Sequence, residues 1–455
     1  MEREKLGSRL SFILISAGCA IGLGNVYRFP ITAGAYGGSI FVFVYLLFLV
    51  ILGIPAMTCE LAVGRASKRS IAYSFDMLEK PGQKWHLTKY LGIGGNYLLM
   101  MFYTVISGWI IGYFFKYCTG SIMEYTDPSQ LGEVFGGMIG DLPTMILTTG
   151  IVIVVGFGIC AIGLKNGVER ITKVMMVALF VLMFGLVIYC LTLPNAAAGL
   201  EFYLVPNFEN AKEAGFKVIS AAMGQAFFTL SIGIGSIAIF GSYIGKERRL
   251  LGESVTIAGL DSIIAIMAGL IIFPACFTYN NGVTADADSV GAGFLFTTLS
   301  SVFNNMPGGR IVGIIFFLLM IFASLSTVIA VFENIMSFWI EKTGMKRWKI
   351  ALINVALMIA LVTPAVLSTN VLADLSIFGK GIIDFEDFFV SNLFLPIGAL
   401  IFVVFCTWKK GWGFDNYLKE VNCGEKGLKV PKWIKIYMQY VLPLIIIAVL
   451  VISVI

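Results

Sequence analysis

Three charged residues stand inside otherwise apolar stretches, and their types limit the chemistry open to them. Asp261 lies about ten residues into the run 251–278, Arg28 follows a glycine cluster in the run 10–34, and Asp387 opens the run 382–408. A charge in hydrocarbon is expensive, so each is a functional candidate by default. A carboxylate at position 261 needs a cation or a proton beside it. Arg28 and Asp387 can neutralise each other, or Arg28 can bond backbone carbonyls instead. A second group offers oxygen. Ala323, Ser326 and Thr327 fall at i, i+3 and i+4, which puts one carbonyl and two hydroxyls on one helix face. Hard cations take oxygen ligands, although such hydroxyls also back-bond within membrane helices. Gln225 and Thr229 share a face in the same way, with Phe227 and Phe228 between them. Those two rings either face lipid or lid a cavity.

Other chemistries find no support. The glycines of the first run neither follow a strand nor precede a Lys-Ser/Thr pair, so they bind no nucleotide phosphate. The eight cysteines lie mostly inside apolar runs and form no CxxC pair, so neither a disulfide framework nor a metal cluster is expected. His86, the single histidine, sits between Lys84 and Lys89 and reads as a solvated loop residue.

The elements that must position these residues are membrane helices. Of 455 residues, 58% are hydrophobic and 13% charged, with a mean hydropathy of +0.90, which belongs in a bilayer rather than in water. One crossing needs about 20 mostly apolar residues. Eleven such spans are predicted, over 10–34, 38–64, 90–118, 145–163, 171–193, 217–243, 251–278, 311–340, 349–368, 382–408 and 433–455. The N-terminal tail and the stretches 65–89, 165–173, 246–249, 342–349 and 409–435 hold 26 of the 32 Lys and Arg residues, and these stretches alternate in side with the rest. The +5 net charge is thus a topology signal, not a nucleic-acid one. The N-terminus is expected in the cytoplasm and, after eleven spans, the C-terminus outside. The loop 119–142, with Glu124, Asp127, Glu133 and Asp141 and no basic residue, suits the outer side. The N-terminal stretch has no small-residue cleavage site, so span 1 should be retained.

Two spans carry interruptions. Span 1 holds Gly18, Gly22, Gly24 and Asn25 at its middle, then Arg28 and Pro30, and span 6 holds Ser231, Gly233 and Gly235. Glycine and proline let both unwind, and unwound backbone at membrane depth must line a cavity or be buried in protein. The breaks stand five spans apart, which suggests two five-span repeats of opposite orientation, 1–193 and 194–408, followed by a connecting loop and an eleventh helix, 409–455. Paired broken helices point to a transporter site. The alternative is that these glycines only let helices pack closely.

At these segments the chain resembles the neurotransmitter:sodium symporters. The residues that carry the resemblance are Gly18-x-Ala20-Ile21-Gly22-Leu23-Gly24-Asn25-x-x-Arg28-Phe29-Pro30 and Gly224-Gln225-Ala226-Phe227-Phe228-Thr229-Leu230-Ser231-x-Gly233-x-Gly235. The likeness runs from Arg3 to Trp408 and is greatest to the shorter bacterial members, a tyrosine carrier among them. It implies an all-α, leucine-transporter-like fold and no enzyme activity. It also implies sodium-coupled import of an amino acid by alternating access. The substrate carboxylate would meet the amides around Leu23 and Gly24 and the Tyr103 hydroxyl, and its ammonium the carbonyls of Ala20, Phe228 and Thr229. One sodium ion would be held by Ala20, Asn25, Thr229 and Asp261 together with the substrate, and a second by Gly18, Ile21, Ala323, Ser326 and Thr327. Cys19, Leu99, Ile106, Phe228, Ser231, Ile234, Thr327 and Val331 would line the side-chain pocket. Tyr103 with Phe228, and Arg28 with Asp387, would gate the outer side, and Arg3 with Glu341 near Ser242 and Tyr243 the inner side.

Departures from the family pattern sharpen these expectations. Position 261 is Asp where Asn is usual, and position 265 is Ala where chloride-dependent relatives have Ser, although Tyr45, Gln225 and Thr229 of the chloride shell are present. The Asp261 carboxylate would then replace the chloride charge, so no chloride should be required. Leu6 stands where Trp is common, which bears on closure of the inner gate. Ile234 replaces an aromatic residue of the leucine transporter and leaves room for a bulkier substrate. Tyrosine is favoured, then phenylalanine, tryptophan and leucine. The expected partners are this substrate, two sodium ions and the bilayer of the inner membrane, with no nucleic acid and a monomer sufficient for transport. A proton-coupled carrier of the same fold, in which Asp261 titrates, and an amino-acid sensor that transports nothing are the alternatives.

Overall fold

The computed structural model describes residues 6–207, 215, 217–280, 282 and 293–454. Arg3 lies outside them. The described residues form helices and no strand beyond two isolated bridges. Among the described residues nine helices are long and apolar enough to cross a membrane, and Arg9–Ala20 with Gly24–Ala35, bent by 57° at their break, make a tenth crossing if taken as one span. The remaining expected span, the sixth, is present as Lys217–Thr229 and Ser236–Tyr243, each too short to cross alone. The other span ends fall within a few residues of expectation, except that span 3 begins at Trp85 and span 5 at Leu164.

Both breaks occur at the glycine clusters. In span 1 the helix ends at Ala20, Ile21 turns extended at ψ 105°, and the chain re-enters a widened turn at Gly24 before Pro30 starts Phe29–Ala35. In span 6 Ser231, Gly233 and Gly235 take φ of 50°, 106° and 79°. Two of these positions are glycine, for which positive φ costs nothing. Ser231 is held there with its hydroxyl donating to Cys19 O at 3.2 Å.

Freed backbone groups at this depth need partners, and distant spans supply them. The Glu60 carboxylate of span 2 accepts from Gly233 N at 2.8 Å, Ile237 N at 3.0 Å and Ala238 N at 3.3 Å, capping the second half of span 6. Asn96 and Asn334 donate to Ile234 O at 2.7 and 3.3 Å. Glu60 is fully buried. Together with Glu333 of span 8, also fully buried, it extends the set of charges at depth beyond the three singled out in the sequence.

Small residues also pack backbones together, so that alternative describes part of the pattern. A Cβ on Gly64 would stand 1.9 Å from Ala238 O, one on Gly241 2.6 Å from Leu61 O, and one on Gly18 3.1 Å from the Thr172 side chain. At the end of the bundle near Tyr243, the buried Arg65 donates to Glu420 Oε1 at 2.7 Å and Arg248 O at 2.6 Å. It thereby ties span 2 to the connection before span 7 and to the short helix Phe414–Val421. His86 pairs with Glu79 at 2.7 Å rather than standing free in its loop. All eight cysteines are free thiols.

Replacing Glu60 by Ala leaves three buried N–H groups without an acceptor, each costing about 1–3 kcal/mol. The expected result is a drop of several degrees in the thermal unfolding midpoint in detergent. Glu60→Gln, which keeps one acceptor oxygen, should fall less.

Candidate functional site

The two breaks face each other across a small chamber of about 20 Å³. Ala20, Gly22 and Gly24 line it from span 1, Leu99 and Tyr103 from span 3, Phe228 and Ser231 from span 6, Thr327 from span 8 and Leu395 from span 10. That volume holds about one water molecule. A larger cavity of about 240 Å³ opens on the far side of Tyr103 and Phe228, lined also by Leu23, Arg28, Ile106 and Asp387. The two aromatic residues thus form a one-ring-thick partition between chamber and vestibule. Tyr103 accepts from Leu23 N at 3.1 Å, and the Phe228 ring closes on Gly24, where a Cβ would lie 2.9 Å from it.

Above the partition Arg28 and Asp387 meet at 3.6 Å. Ser391, which the sequence reading missed, joins them: it donates to Asp387 Oδ1 at 2.7 Å and accepts from Arg28 at 3.2 Å. Its i+4 spacing from Asp387 was the available signal. The Arg28 guanidinium also lies 4.5 Å from the centre of the Phe228 ring, a cation–π contact that links the ion pair to the partition.

On one side of the chamber the polar groups centre on Asp261, which is fully buried. Asn25 Nδ2 donates to Asp261 Oδ1 at 2.7 Å and to Thr229 Oγ1 at 3.0 Å, and Thr229 donates to Asp261 Oδ2 at 2.9 Å. The Tyr45 hydroxyl approaches the same oxygen at 3.4 Å. Asn25 Oδ1 in turn accepts from Gly22 N at 3.0 Å. None of the ion pairs among the described residues includes Asp261. Gln225 donates to Gly24 O at 2.8 Å, and its Oε1 is buried without a partner. Ala265 is buried one turn along span 7 from Asp261.

On the other side Ser326 and Thr327 of span 8 reach the frayed end of the first half of span 1. Thr327 Oγ1 lies 3.5 Å from Gly18 O, 3.4 Å from Cys19 O, 3.3 Å from Ile21 O and 3.5 Å from Ala323 O. Ser326 Oγ lies 3.3 Å from Ile21 O and 2.9 Å from Ala323 O. Most of these separations exceed the usual O–H···O length. Oxygens about 2.3–2.6 Å from a calcium-sized cation and about 90° apart stand about 3.3–3.7 Å from one another. Five of the six separations fall in that range. No group of His, Cys, Asp and Glu fit for a metal occurs among the described residues, so a cation here would be held by hydroxyls and carbonyls.

Some expected lining residues lie elsewhere. Ile106 lines the vestibule, Cys19 contributes its carbonyl, and Val331 is fully buried but does not line the chamber. The Ile234 side chain packs instead toward Gly95, whose Cβ would meet it at 2.9 Å and Phe394 at 2.8 Å. At the opposite end Tyr243 donates to Glu333 at 2.9 Å, and Arg347 bonds both oxygens of Glu333. Neither Glu333 nor Arg347 was singled out in the sequence. Ser242 donates to Ile239 O at 2.5 Å, and Glu341 accepts from Ser70 N at 3.0 Å and Ser70 Oγ at 2.9 Å.

Residues 3–126 and 136–455 match a family described as the sodium:neurotransmitter symporter family. The chain is 32% identical over 447 residues to YhdH, an uncharacterized sodium-dependent transporter of Bacillus subtilis, covering 97% of this chain and 96% of that protein. It is also 32% identical over 460 residues to an uncharacterized sodium-dependent transporter of Haemophilus influenzae, covering 98% and 97% of the two chains. The crystal structure of MhsT in complex with L-phenylalanine superposes on it with a TM-score of 0.87 at 36% identity over the full length of both.

A Cβ on Gly22 would stand 2.5 Å from the Tyr103 hydroxyl and 2.6 Å from Thr327 Oγ1. Gly22→Ala should therefore destabilise the protein by about 1–3 kcal/mol through overpacking, read as a lower unfolding midpoint. Against a Tyr103→Phe background the same change should cost less, and strictly additive effects in this double-mutant cycle would refute the contact.

Proposed function

Since the chain belongs to the sodium:neurotransmitter symporter family, we propose that it imports a hydrophobic amino acid, tyrosine foremost, together with two sodium ions and without chloride. The observation that carries the reading is the shell of oxygens from Gly18, Cys19, Ile21, Ala323, Ser326 and Thr327, spaced for a shared cation where a half-helix ends. The phenylalanine bound to MhsT supports the substrate class.

In this reading the second sodium ion sits in that shell and joins span 1 to span 8. The first sits among Ala20 O, Asn25, Thr229 and Asp261, where the substrate carboxylate completes its coordination. Substrate and ion thus share a contact, and neither is held well alone. Leu23 N and the Tyr103 hydroxyl, which bond each other here, would turn to the substrate carboxylate. The carbonyls of Ala20, Phe228 and Thr229 would take its ammonium. The chamber must widen to admit a side chain, and its closing would bring Phe228 and Tyr103 over the substrate and Arg28 toward Asp387. Departure of the second sodium ion toward the cytoplasm would free the first half of span 1 and release the inner gate of Arg3, Glu341, Ser242 and Tyr243. Glu333 and Arg347 would steady that gate through Tyr243.

In this reading Asp261 takes the place of chloride. A buried carboxylate without a basic partner needs a positive charge nearby, and it supplies the negative charge that chloride brings beside Tyr45, Gln225 and Ala265 in relatives. The repeats 1–193 and 194–408 would rock against each other around the fixed site. The N-terminus would lie in the cytoplasm and the C-terminus outside the plasma membrane, with a monomer as the working unit.

Purified protein in liposomes tests this directly. Tyrosine should accumulate under an inward sodium gradient, equally with chloride or gluconate outside. Uptake driven by a proton gradient in sodium-free medium, or binding without accumulation, would refute it. Thr327→Ala should raise the sodium concentration for half-maximal uptake about 5-fold or more. Asp261→Asn should lower uptake in gluconate about 10-fold or more, with partial recovery in chloride.

A further inference from the structure

The chamber has one lining side chain that the sequence did not single out. Leu395, 1% exposed, is the only contribution of span 10 among the chamber-lining residues described. It follows the widened turn Val390–Phe394, which directly succeeds the helix Ile382–Phe389 that carries Asp387. Leu395 thus stands eight residues, or about 12 Å of helix, inward of the ion pair.

Its backbone cannot retreat. A Cβ on Gly233 would fall 2.2 Å from Leu395 O and 2.8 Å from Ala399 N, and one on Gly398 would fall 1.9 Å from Gly233 O. Span 10 and the break in span 6 are therefore in main-chain contact with no side chain between them, and Gly233 itself is held at φ 106°. Close-packed backbones of this kind move together or not at all.

The rest of the lining has little freedom. Gly22 and Gly24 present backbone only. Tyr103 accepts from Leu23 N, Ser231 donates to Cys19 O, and Thr327 lies in the oxygen shell. Phe228 is caught between Gly24 and the Arg28 guanidinium. The long aliphatic side chains of the lining are Leu99 and Leu395, and these can change rotamer without breaking a hydrogen bond. Beside Gly95 the Ile234 side chain lies with Phe394, also from span 10.

We infer that Leu395 is a specificity-determining residue, whose side chain sets how large an amino-acid side chain the chamber admits. The inference rests on the reading of this chamber as the substrate site. Its consequence is that span 10 joins substrate size to the ion pair at Asp387.

The test is competition binding of radiolabelled leucine against unlabelled leucine, phenylalanine, tyrosine and tryptophan, in sodium, on wild type, Leu395→Ala and Leu395→Phe. Because one methylene in an apolar pocket changes discrimination by about 10-fold or more, Leu395→Ala should raise the tryptophan-to-leucine affinity ratio by at least about that factor. Leu395→Phe should lower it. A generally loosened protein would move both variants in the same direction, which would overturn the inference. So would an unchanged ranking in variants that still bind leucine. Should Leu395→Ala not fold, Leu395→Val must show the same shift to a smaller degree. A wild type that binds no amino acid in sodium refutes the substrate-site reading itself, whereas binding by the wild type with flat variant rankings refutes this inference alone.

Discussion

Every exposed main-chain N–H and C=O at membrane depth must find a partner, and this constraint governs the structure. Two helices are interrupted at mid-span, each releasing backbone groups that lipid cannot satisfy. The protein divides those groups into two classes. In span 6 the N–H groups of Gly233, Ile237 and Ala238 go to Glu60, and the carbonyl of Ile234 goes to Asn96 and Asn334. These are closed accounts that fix the second half-helix in place. In span 1 the carbonyls of Gly18 and Ile21 meet the hydroxyls of Ser326 and Thr327, and that of Cys19 meets Thr327 and Ser231, mostly at lengths beyond a good hydrogen bond. Fixed partners make a rigid floor, and loosely held oxygens are what the proposed second sodium site would draw on.

The same economy of contacts governs the path to the chamber. Phe228 is at once the partition above it, the neighbour of Gly24 and the aromatic face under Arg28. Arg28 and Asp387 are each about a third exposed, so their direct attraction is screened by solvent and weak. Ser391, bonded to both, and the cation–π contact give the pair its geometry. A weak, well-aimed pair suits the outer gate proposed for it, which would open in every cycle. At the far end Glu333 and Arg347 are buried more deeply and bonded through both carboxylate oxygens, which makes Tyr243 a firmer attachment point.

Asp261 concentrates the electrostatics of the chamber. Its carboxylate takes hydrogen bonds from Asn25 and Thr229, one from each broken span. A cation placed there would therefore draw on both breaks at once. That geometry gives a sodium-dependent symporter a physical route by which ion occupancy sets the distance between spans 1 and 6.

Local signals were legible in the sequence. Hydropathy averages over neighbours in the chain, so it placed the spans to within a few residues apart from the starts of spans 3 and 5. Gly18, Gly22, Gly24, Gly233 and Gly235 marked both breaks because backbone freedom belongs to the residue itself. The i, i+3, i+4 rule put Ser326 and Thr327 on one face. Asp261, Arg28 and Asp387 stood out as charges among apolar neighbours. Glu60 and Glu333 carried the same signal and were passed over. The partners were not legible, because they depend on which distant segments touch. Glu60 meets Gly233 across 173 residues, Asn96 meets Ile234 across 138, and Arg28 meets Ser391 across 363. Leu395 in the chamber wall and Ile234 outside it are decisions of the same kind. A side chain's facing is settled by the packing of helices against one another, whereas the capacity of a helix to form, break or cross a bilayer is already present in its own residues.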